Sequence, residues 1–375
     1  MKKKLKPIIK WTGGKYKEFG LFAEDIPKFD RYVEPFFGGG GVFFALQPAG
    51  DVEINDKSTD LINFYKQLRN PSLQQELLNY ADAWDELSKI NDGIWSYCEL
   101  PFSKYIQEEE ELINLTKLFE EQLITALTPN LLLSDVNFVI DVKAFKKTLL
   151  ASMVDKARRI KQICEKEKKL FTINELRIHF ETGIKSGAYL YFRHLLNQHY
   201  KNQIQLNEVK AAANWYFVRE FCYGSMFRFN AKGEFNIPYG GITYNRKKFR
   251  QKVNKIFTEE VSTLFRNANI FNLDFEVFLS QLNLKKSDFI FLDPPYDTEF
   301  SAYDQSEFTR NDQQRLADFI TGVTAKWMIV IKETPFIREI YTRPTIKIKV
   351  FYKKYTYNVR GRNDRKVQHL IITNY

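Results

Sequence analysis

The stretch RYVEPFFGGGGVFFAL, Arg31 to Leu46, with DVEINDKSTDLINFYKQLR close behind it, leaves a chain few ways to fold. An apolar pair at Tyr32–Val33 reads as a strand, four consecutive glycines as a tight turn, and the residues after them as the start of a buried helix. Asp51 to Ile54 supplies another strand, closed by Asn55 and Asp56 and followed by an amphipathic helix. Strand, glycine loop, helix, strand, acid is the opening of a doubly wound α/β sheet.

The glycine loop, Glu34 to Gly41, lets a backbone approach a ligand closely. It is not a P-loop, because no Gly-Lys-Ser/Thr follows. Nor is it the dinucleotide fingerprint, since Phe43 stands at the last required glycine. Asp56 follows the second strand, where a carboxylate accepts hydrogen bonds from ribose hydroxyls; its competing role is a turn or helix cap. Loop and acid together point to an adenosine-bearing cofactor without a phosphate cradle. Upstream, KWTGGK is a second glycine turn flanked by Lys10, Trp11 and Lys15, placed to fold over cofactor or target.

From about residue 70 the style changes. Residues 72–127 read as helix with few turn signals, and EEEELINLTKLFEEQL is an acidic amphipathic helix. TPNLLLSDVNFVIDVKAF is expected to hold a small strand or loop, with helices resuming around 143–169 and 207–222. FRFNAKGEFNIPYGGITYNRKKF reads as hairpin and loop. After 267 the α/β rhythm returns through ANIFNLDFEVFLSQL, SDFIFLDPPY, DQQRLADFI, AKWMIVIKE and VQHLIITNY. The parse is one α/β sheet domain, residues 1–70 and 261–375, interrupted by a mainly helical insertion at 71–260 with a hairpin near 227–245.

A formal net charge of +10 makes a polyanion the first partner to consider. Lys2, Lys3, Lys4, Lys6, Lys10, Lys15 and Lys17 precede the first acidic residue, and further basic clusters run Lys146 to Lys169 and Arg246 to Lys252. Aromatic residues interleave with basic ones near 215–250 and in the tail 338–366, which favours nucleic acid over a merely solvated face. Cys98, Cys164 and Cys222 are too few and too scattered for a disulfide framework or a zinc knuckle. His194 and His199 are five apart and do not share a helical face, so no metal site is expected. With no apolar run long enough for a signal peptide or a membrane span, the expectation is a soluble cytoplasmic protein.

FIFLDPPYDTEF, Phe289 to Phe300, ends a buried strand with two prolines that remove backbone donors and stop sheet or helix from continuing. The stiff turn presents a carboxylate, adjacent carbonyls and an aromatic ring at the carboxyl edge of a sheet, where open α/β folds bind ligands.

KWTGGK (10–15), VEPFFGGGG (33–41), INDKSTDLINFY (54–65) and LDPPY (292–296), in this order, resemble the Dam-like DNA adenine-N6 methyltransferases, the D12 class in its alpha arrangement. LDF (273–275), FRFNAKGEFNIPYG (227–240) and the ending GRNDRKVQHLIITNY reinforce the likeness, which covers roughly 1–70 and 215–375. It implies S-adenosylmethionine as cofactor and double-stranded DNA as substrate. It also implies a Rossmann-like, seven-stranded sheet with a reversed last strand, and an insertion that reads DNA. A cognate restriction endonuclease is a further partner of that kind of enzyme.

By the same resemblance, Trp11 and Lys15 approach the cofactor's methionine end; Glu34, Phe36 and Gly38 surround its amino acid and sugar. Asp56 holds the ribose, and Asp274 and Phe275 meet the adenine. Asp293 and Pro294 receive the target amino group, and Tyr296 stacks on the extruded base. On the hairpin itself, Arg228, Asn230 and Lys232 are the residues expected to reach DNA phosphates or base edges, with plain hairpin decoration as their competing role. His369 stands where an acidic residue is common, a departure expected to affect packing rather than chemistry. The insertion is larger than the resemblance implies, which leaves the recognised sequence open. Cytosine-N4 methylation, which needs only another exocyclic amine, and a noncatalytic DNA-binding module remain the alternatives.

Overall fold

The computed structural model describes residues 4–226, 228–296, 308–354 and 366–375. Lys2, Lys3, Phe227, the DTEF end of the proline turn and the GRNDR of the tail lie outside the described residues. The chain divides into two compact units, residues 1–69 with 256–375, and residues 70–255. Residues 256–260, read from sequence as part of the insertion, therefore sit with the sheet.

In the first unit the chain runs β1 (Arg31–Glu34), α1 (Gly41–Leu46), β2 (Asp51–Asn55) and α2 (Thr59–Gln67). In the insertion follow α3 (Pro71–Ile106), α4 (Leu112–Leu127), α5 (Val142–Glu167), α6 (Ile173–Tyr200), α7 (Glu208–Phe221) and α8 (Ile242–Asn245), and α9 (Phe249–Ile256) ends it. Then come α10 (Glu259–Arg266), β3 (Ala268–Phe271), α11 (Phe275–Gln281), β4 (Asp288–Leu292) and α12 (Arg310–Thr321). The chain closes with β5 (Lys326–Lys332), α13 (Pro335–Tyr341), β6 (Lys347–Lys354) and β7 (Lys366–Thr373).

The seven strands form one sheet in the order β3-β2-β1-β4-β5-β7-β6. β1 is parallel to both neighbours, with Val33 opposite Glu53 on one side and Ile290 on the other. β7 is the reversed strand, antiparallel to β5 (Ile331 opposite Leu370) and to β6 (Val350 opposite Leu370). This is the Rossmann-like α/β architecture expected. Every residue of β4 is buried, as is WMIVI of β5, which is why both read as continuous apolar runs rather than alternating ones. On one face Ile290, Leu292, Trp327, Ile329 and Ile331 pack with Leu316 and Ile320 of α12 and Tyr341 of α13. Strand order reverses between β1 and β4, the switch point where open α/β sheets leave a crevice.

The insertion has its own aromatic core. Trp84 lies 4.2 Å from Phe221 and 5.6 Å from Phe217, and Tyr80 lies 4.8 Å from both Phe192 and Phe217. Asn70 caps α3 through the Ser72 amide, with Pro71 at the first helical position, while Thr172 and Glu175 form a reciprocal capping box on α6. Helix α6 is absent from the sequence reading, whose segment GIKSGAY looks like a break. The glycines act otherwise. A Cβ at Gly187 would lie 2.7 Å from the Leu149 Cα, so the small residue lets α5 and α6 approach closely. Residues 128–141, where a small strand was one expectation, form turns.

Candidate active site

β1 and β4 are adjacent, and each ends in a motif: β1 runs from Glu34 into the glycine loop, β4 from Leu292 into DPPY. Trp11, Lys15, Glu34, Phe36, Gly38 and Asp56, all singled out from sequence, line one cavity there. So do Asp274, Phe275, Asp293, Pro294 and Tyr296.

At one end, Lys15 pairs directly with the Asp293 carboxylate. The lysine side chain is completely buried, and Asp293 is 17% exposed. Lys15 Nζ also donates to the Gly13 carbonyl at 3.0 Å and to the Tyr296 hydroxyl at 3.1 Å, and lies 5.0 Å from the centre of the Tyr296 ring. A residue assigned from sequence to the cofactor's methionine end thus also holds the DPPY carboxylate. Gln313, buried on α12, donates to the Pro295 carbonyl at 2.7 Å and ties the proline turn to the helix behind it.

Glu34 is buried at the end of β1 and accepts a hydrogen bond from the Tyr32 hydroxyl at 2.9 Å. Burial pushes its carboxyl well above the ordinary carboxylate range; the Tyr32 bond opposes that rise, and the charges of Asp293 and Asp56 add to it.

The four glycines serve a purpose the sequence did not show. Gly38 has φ +50°, and a Cβ on it would meet the Trp11 ring at 2.7 Å. At Gly39 a Cβ would come within 2.9 Å of the Trp11 Cβ, and at Gly41 within 2.9 Å of the Tyr16 amide nitrogen. The glycines make room for the KWTGGK segment to lie against the loop. Asp56 fastens the loop from the next strand: one oxygen accepts from the Gly38 amide at 2.7 Å, the other from Ser58 at 2.9 Å. The turn role weighed against ribose binding is therefore present in the structure. Asn55 joins three segments, donating to the Pro35 and Leu273 carbonyls and accepting from the Leu273 amide at 2.9 Å.

At the other end, Phe36, Phe275 and Phe308 form an aromatic box, with centroids 5.4 to 5.9 Å apart. Asp274 caps α11 through the Glu276 amide and makes a bidentate pair with Arg315, at 3.0 and 2.9 Å. Arg315 also reaches Glu276 and Asp312, and its guanidinium stands 4.5 Å over the Phe275 ring.

Asn55, Phe308, Gln313 and Arg315 were not singled out from sequence. The signal available was DQQRLADF following the proline turn, which was read only as a helix. His369, expected to affect packing rather than chemistry, has its Nε2 3.3 Å from the Tyr296 hydroxyl.

Arg228, Asn230 and Lys232 lie in the insertion unit, on a tight turn where Phe229 and Phe235 form an antiparallel bridge. Arg228 and Lys232 are exposed. Asn230 is engaged in shaping the turn, its Oδ1 accepting from the Lys232 and Glu234 amides and its Nδ2 donating to Glu234 at 3.0 Å. Among the described residues no cluster of His, Cys, Asp and Glu is arranged to hold a metal ion. No helix among them is long and apolar enough to cross a membrane.

The donor set suits a nucleoside carrying a cation. Aromatic faces stand at one end of the cavity, a carboxylate follows β2, and the buried Glu34 lines the middle. A family model described as D12 class N6 adenine-specific DNA methyltransferase matches residues 11–359. A type II methyltransferase of Methanocaldococcus jannaschii, M.MjaIII, is 26% identical over 99% of both chains. The type II methyltransferase M.CviBI of Paramecium bursaria Chlorella virus is 34% identical over 44% of this chain and 62% of its own. A DNA adenine methylase of Vibrio cholerae is 22% identical over 98% of this chain and 96% of its own.

Proposed function

The chain belongs to the D12 class of N6 adenine-specific DNA methyltransferases, and on that premise we propose that it methylates the N6 amine of an adenine turned out of duplex DNA, with S-adenosylmethionine as donor. The observation that carries the reading is the convergence, in one cavity, of the Asp293 carboxylate, the Pro294 turn and the Tyr296 ring with Asp56 and the phenylalanine box.

An exocyclic adenine amine is a poor nucleophile because its lone pair is delocalised into the ring. Asp293 and the Pro294 carbonyl accept its two hydrogens, which favours a pyramidal nitrogen with a directed lone pair. Proline rigidity holds both acceptors in place before the base arrives, so their dipoles need little reorganisation as positive charge develops. Lys15 pairs with the Asp293 carboxylate and fixes it in place. When bound, S-adenosylmethionine supplies an electrophilic methyl group on a sulfonium. For that molecule Asp56 receives the ribose hydroxyls, and Phe36 and Phe275, with Phe308, flank the adenine. Asp274 meets the adenine edge while held by Arg315. Trp11, Glu34 and Gly38 line the remainder.

Extruding the adenine costs a few kcal/mol, and stacking on Tyr296 offsets roughly 1–3 kcal/mol of that. The insertion, residues 70–255, is the target-reading unit in this scheme. Arg228 and Lys232 contact phosphates or base edges, and Asn230 sets the turn that presents them. Binding weakens steeply with salt, as phosphate contacts require. The type II designation of two relatives supports a role as the modification partner of a restriction endonuclease.

The test is methyl incorporation into unmethylated duplex DNA followed by nucleoside analysis. The expected product is N6-methyladenine from the wild type and none from Asp293→Asn. N4-methylcytosine as product would replace the substrate assignment, and DNA binding without incorporation would leave a noncatalytic module.

A further inference from the structure

We infer that His369 is a positioning residue for Tyr296, anchoring the ring hydroxyl so that the ring is held in place before a base stacks on it; the functional half of this inference rests on the reading of Tyr296 given above. His369 sits on β7, the reversed strand, and is fully buried. Its ring meets the Tyr296 ring edge-on, at 5.7 Å and 72°. Phe351 of β6 lies 5.5 Å from the imidazole and backs it from the neighbouring strand.

The hydrogen-bond directions around the hydroxyl are set by the chemistry of its partners. An ammonium only donates, so the Tyr296 oxygen accepts from Lys15 at 3.1 Å and keeps its own proton to give. A backbone carbonyl only accepts, so His369 Nδ1, 3.4 Å from the Val367 oxygen, carries its hydrogen on that side. In that tautomer Nε2 is the acceptor, 3.3 Å from the hydroxyl. One chain of donors results, from Lys15 through Tyr296 and His369 to Val367. Every link crosses between segments distant in sequence except the last.

This arrangement accounts for a tyrosine, rather than a phenylalanine, at the end of the proline turn. Stacking uses the π face and gains nothing from the hydroxyl. Anchored at its far end from both sides, the ring cannot rotate about its Cα–Cβ bond, so less conformational freedom is lost when the base arrives. An imidazole at this position adds no negative charge near Asp293, Glu34 and Asp56.

The test uses the full chain, with steady-state methylation of long unmethylated duplex DNA. His369→Leu is expected to lower kcat/KM for DNA about fivefold to tenfold. Its dissociation constant for S-adenosylmethionine should stay within about twofold of wild type, since the cofactor box is untouched. Tyr296→Phe, which also removes the bond from Lys15, is expected to lose at least as much, and the double variant no more than Tyr296→Phe alone, because the His369 bond is already gone in it. His369→Gln, whose amide oxygen also accepts, recovers most of the rate. Wild-type kinetics in His369→Leu or Tyr296→Phe, or effects that multiply in the double variant, overturn the inference.

A second readout does not depend on turnover. In protein labelled with nitrogen-15 at its four histidines, one imidazole shows the Nδ1–H tautomer, and its Nε2 resonance shifts in Tyr296→Phe. If none of the four responds, the anchoring is wrong. If one responds but the wild type incorporates no methyl group, the anchoring stands and the methyltransfer reading falls.

Discussion

The two ends of the cavity are built from the same three parts and differ in burial. At one end a carboxylate, Asp293, meets a cation, Lys15, that stands 5.0 Å from an aromatic ring, Tyr296. At the other, Asp274 meets Arg315, whose guanidinium stands 4.5 Å over Phe275. Lys15 is 0% exposed in its side chain, whereas Arg315 is 39% exposed. Water replaces a lost partner less readily at the first end than at the second. Removing one member of a buried pair strands a charge and costs about 3–5 kcal/mol, whereas an exposed pair contributes about 1 kcal/mol or less. The buried clamp therefore holds its carboxylate more firmly than the exposed one does.

The widest separation between the two ends is expected from Asp293→Ala. It abolishes methylation and also lowers the unfolding free energy by about 3 kcal/mol, because the buried Lys15 ammonium loses its carboxylate. Lys15→Met strands a carboxylate with some access to water and costs less; combining both changes restores part of the loss. Urea denaturation of the three variants checks this, and an Asp293→Ala protein as stable as the wild type would break the comparison. Arg315→Ala comes next. It weakens S-adenosylmethionine binding about fivefold to tenfold and stability by about 1 kcal/mol or less, leaving kcat nearly unchanged. Calorimetric titration separates it from Asp293→Ala, whose cofactor affinity should change far less than its turnover.

The smallest effect concerns Glu34, between the two ends. Its carboxyl is raised above the ordinary value of 4.5, chiefly by burial. A raised carboxyl contributes stability that is fully present below its ordinary value and is lost as pH rises through the folded-state value. Glu34→Gln removes that dependence. Its melting temperature should gain on the wild type as pH is raised from about 5 to about 8, and parallel curves would mean that Glu34 is not the group responsible.

How much could be read in advance differed by element. β4 and the proline turn were legible because two consecutive prolines stop a buried apolar run whatever surrounds it. The glycine loop was legible as a turn, but not as the bed of Trp11, since a glycine that makes room for a distant ring looks like one that makes room for a ligand. Helix α6 was missed for a related reason: Gly183 and Gly187 resemble breaks in isolation and serve close packing in the fold. The contact of His369 with the Tyr296 hydroxyl was not legible, because the two residues are 73 apart in the chain.

Local patterning therefore determined the α/β class, the identity of the turns and the residue types available for chemistry, since strand, turn and cap preferences act over a few residues. Tertiary structure alone decided which charges face one another. Lys15 and Asp293 are 278 residues apart, and no short-range preference couples them. They meet because β1 and β4 pair side by side, so that their carboxyl ends open on the same crevice, and because a buried ammonium needs an anion within reach.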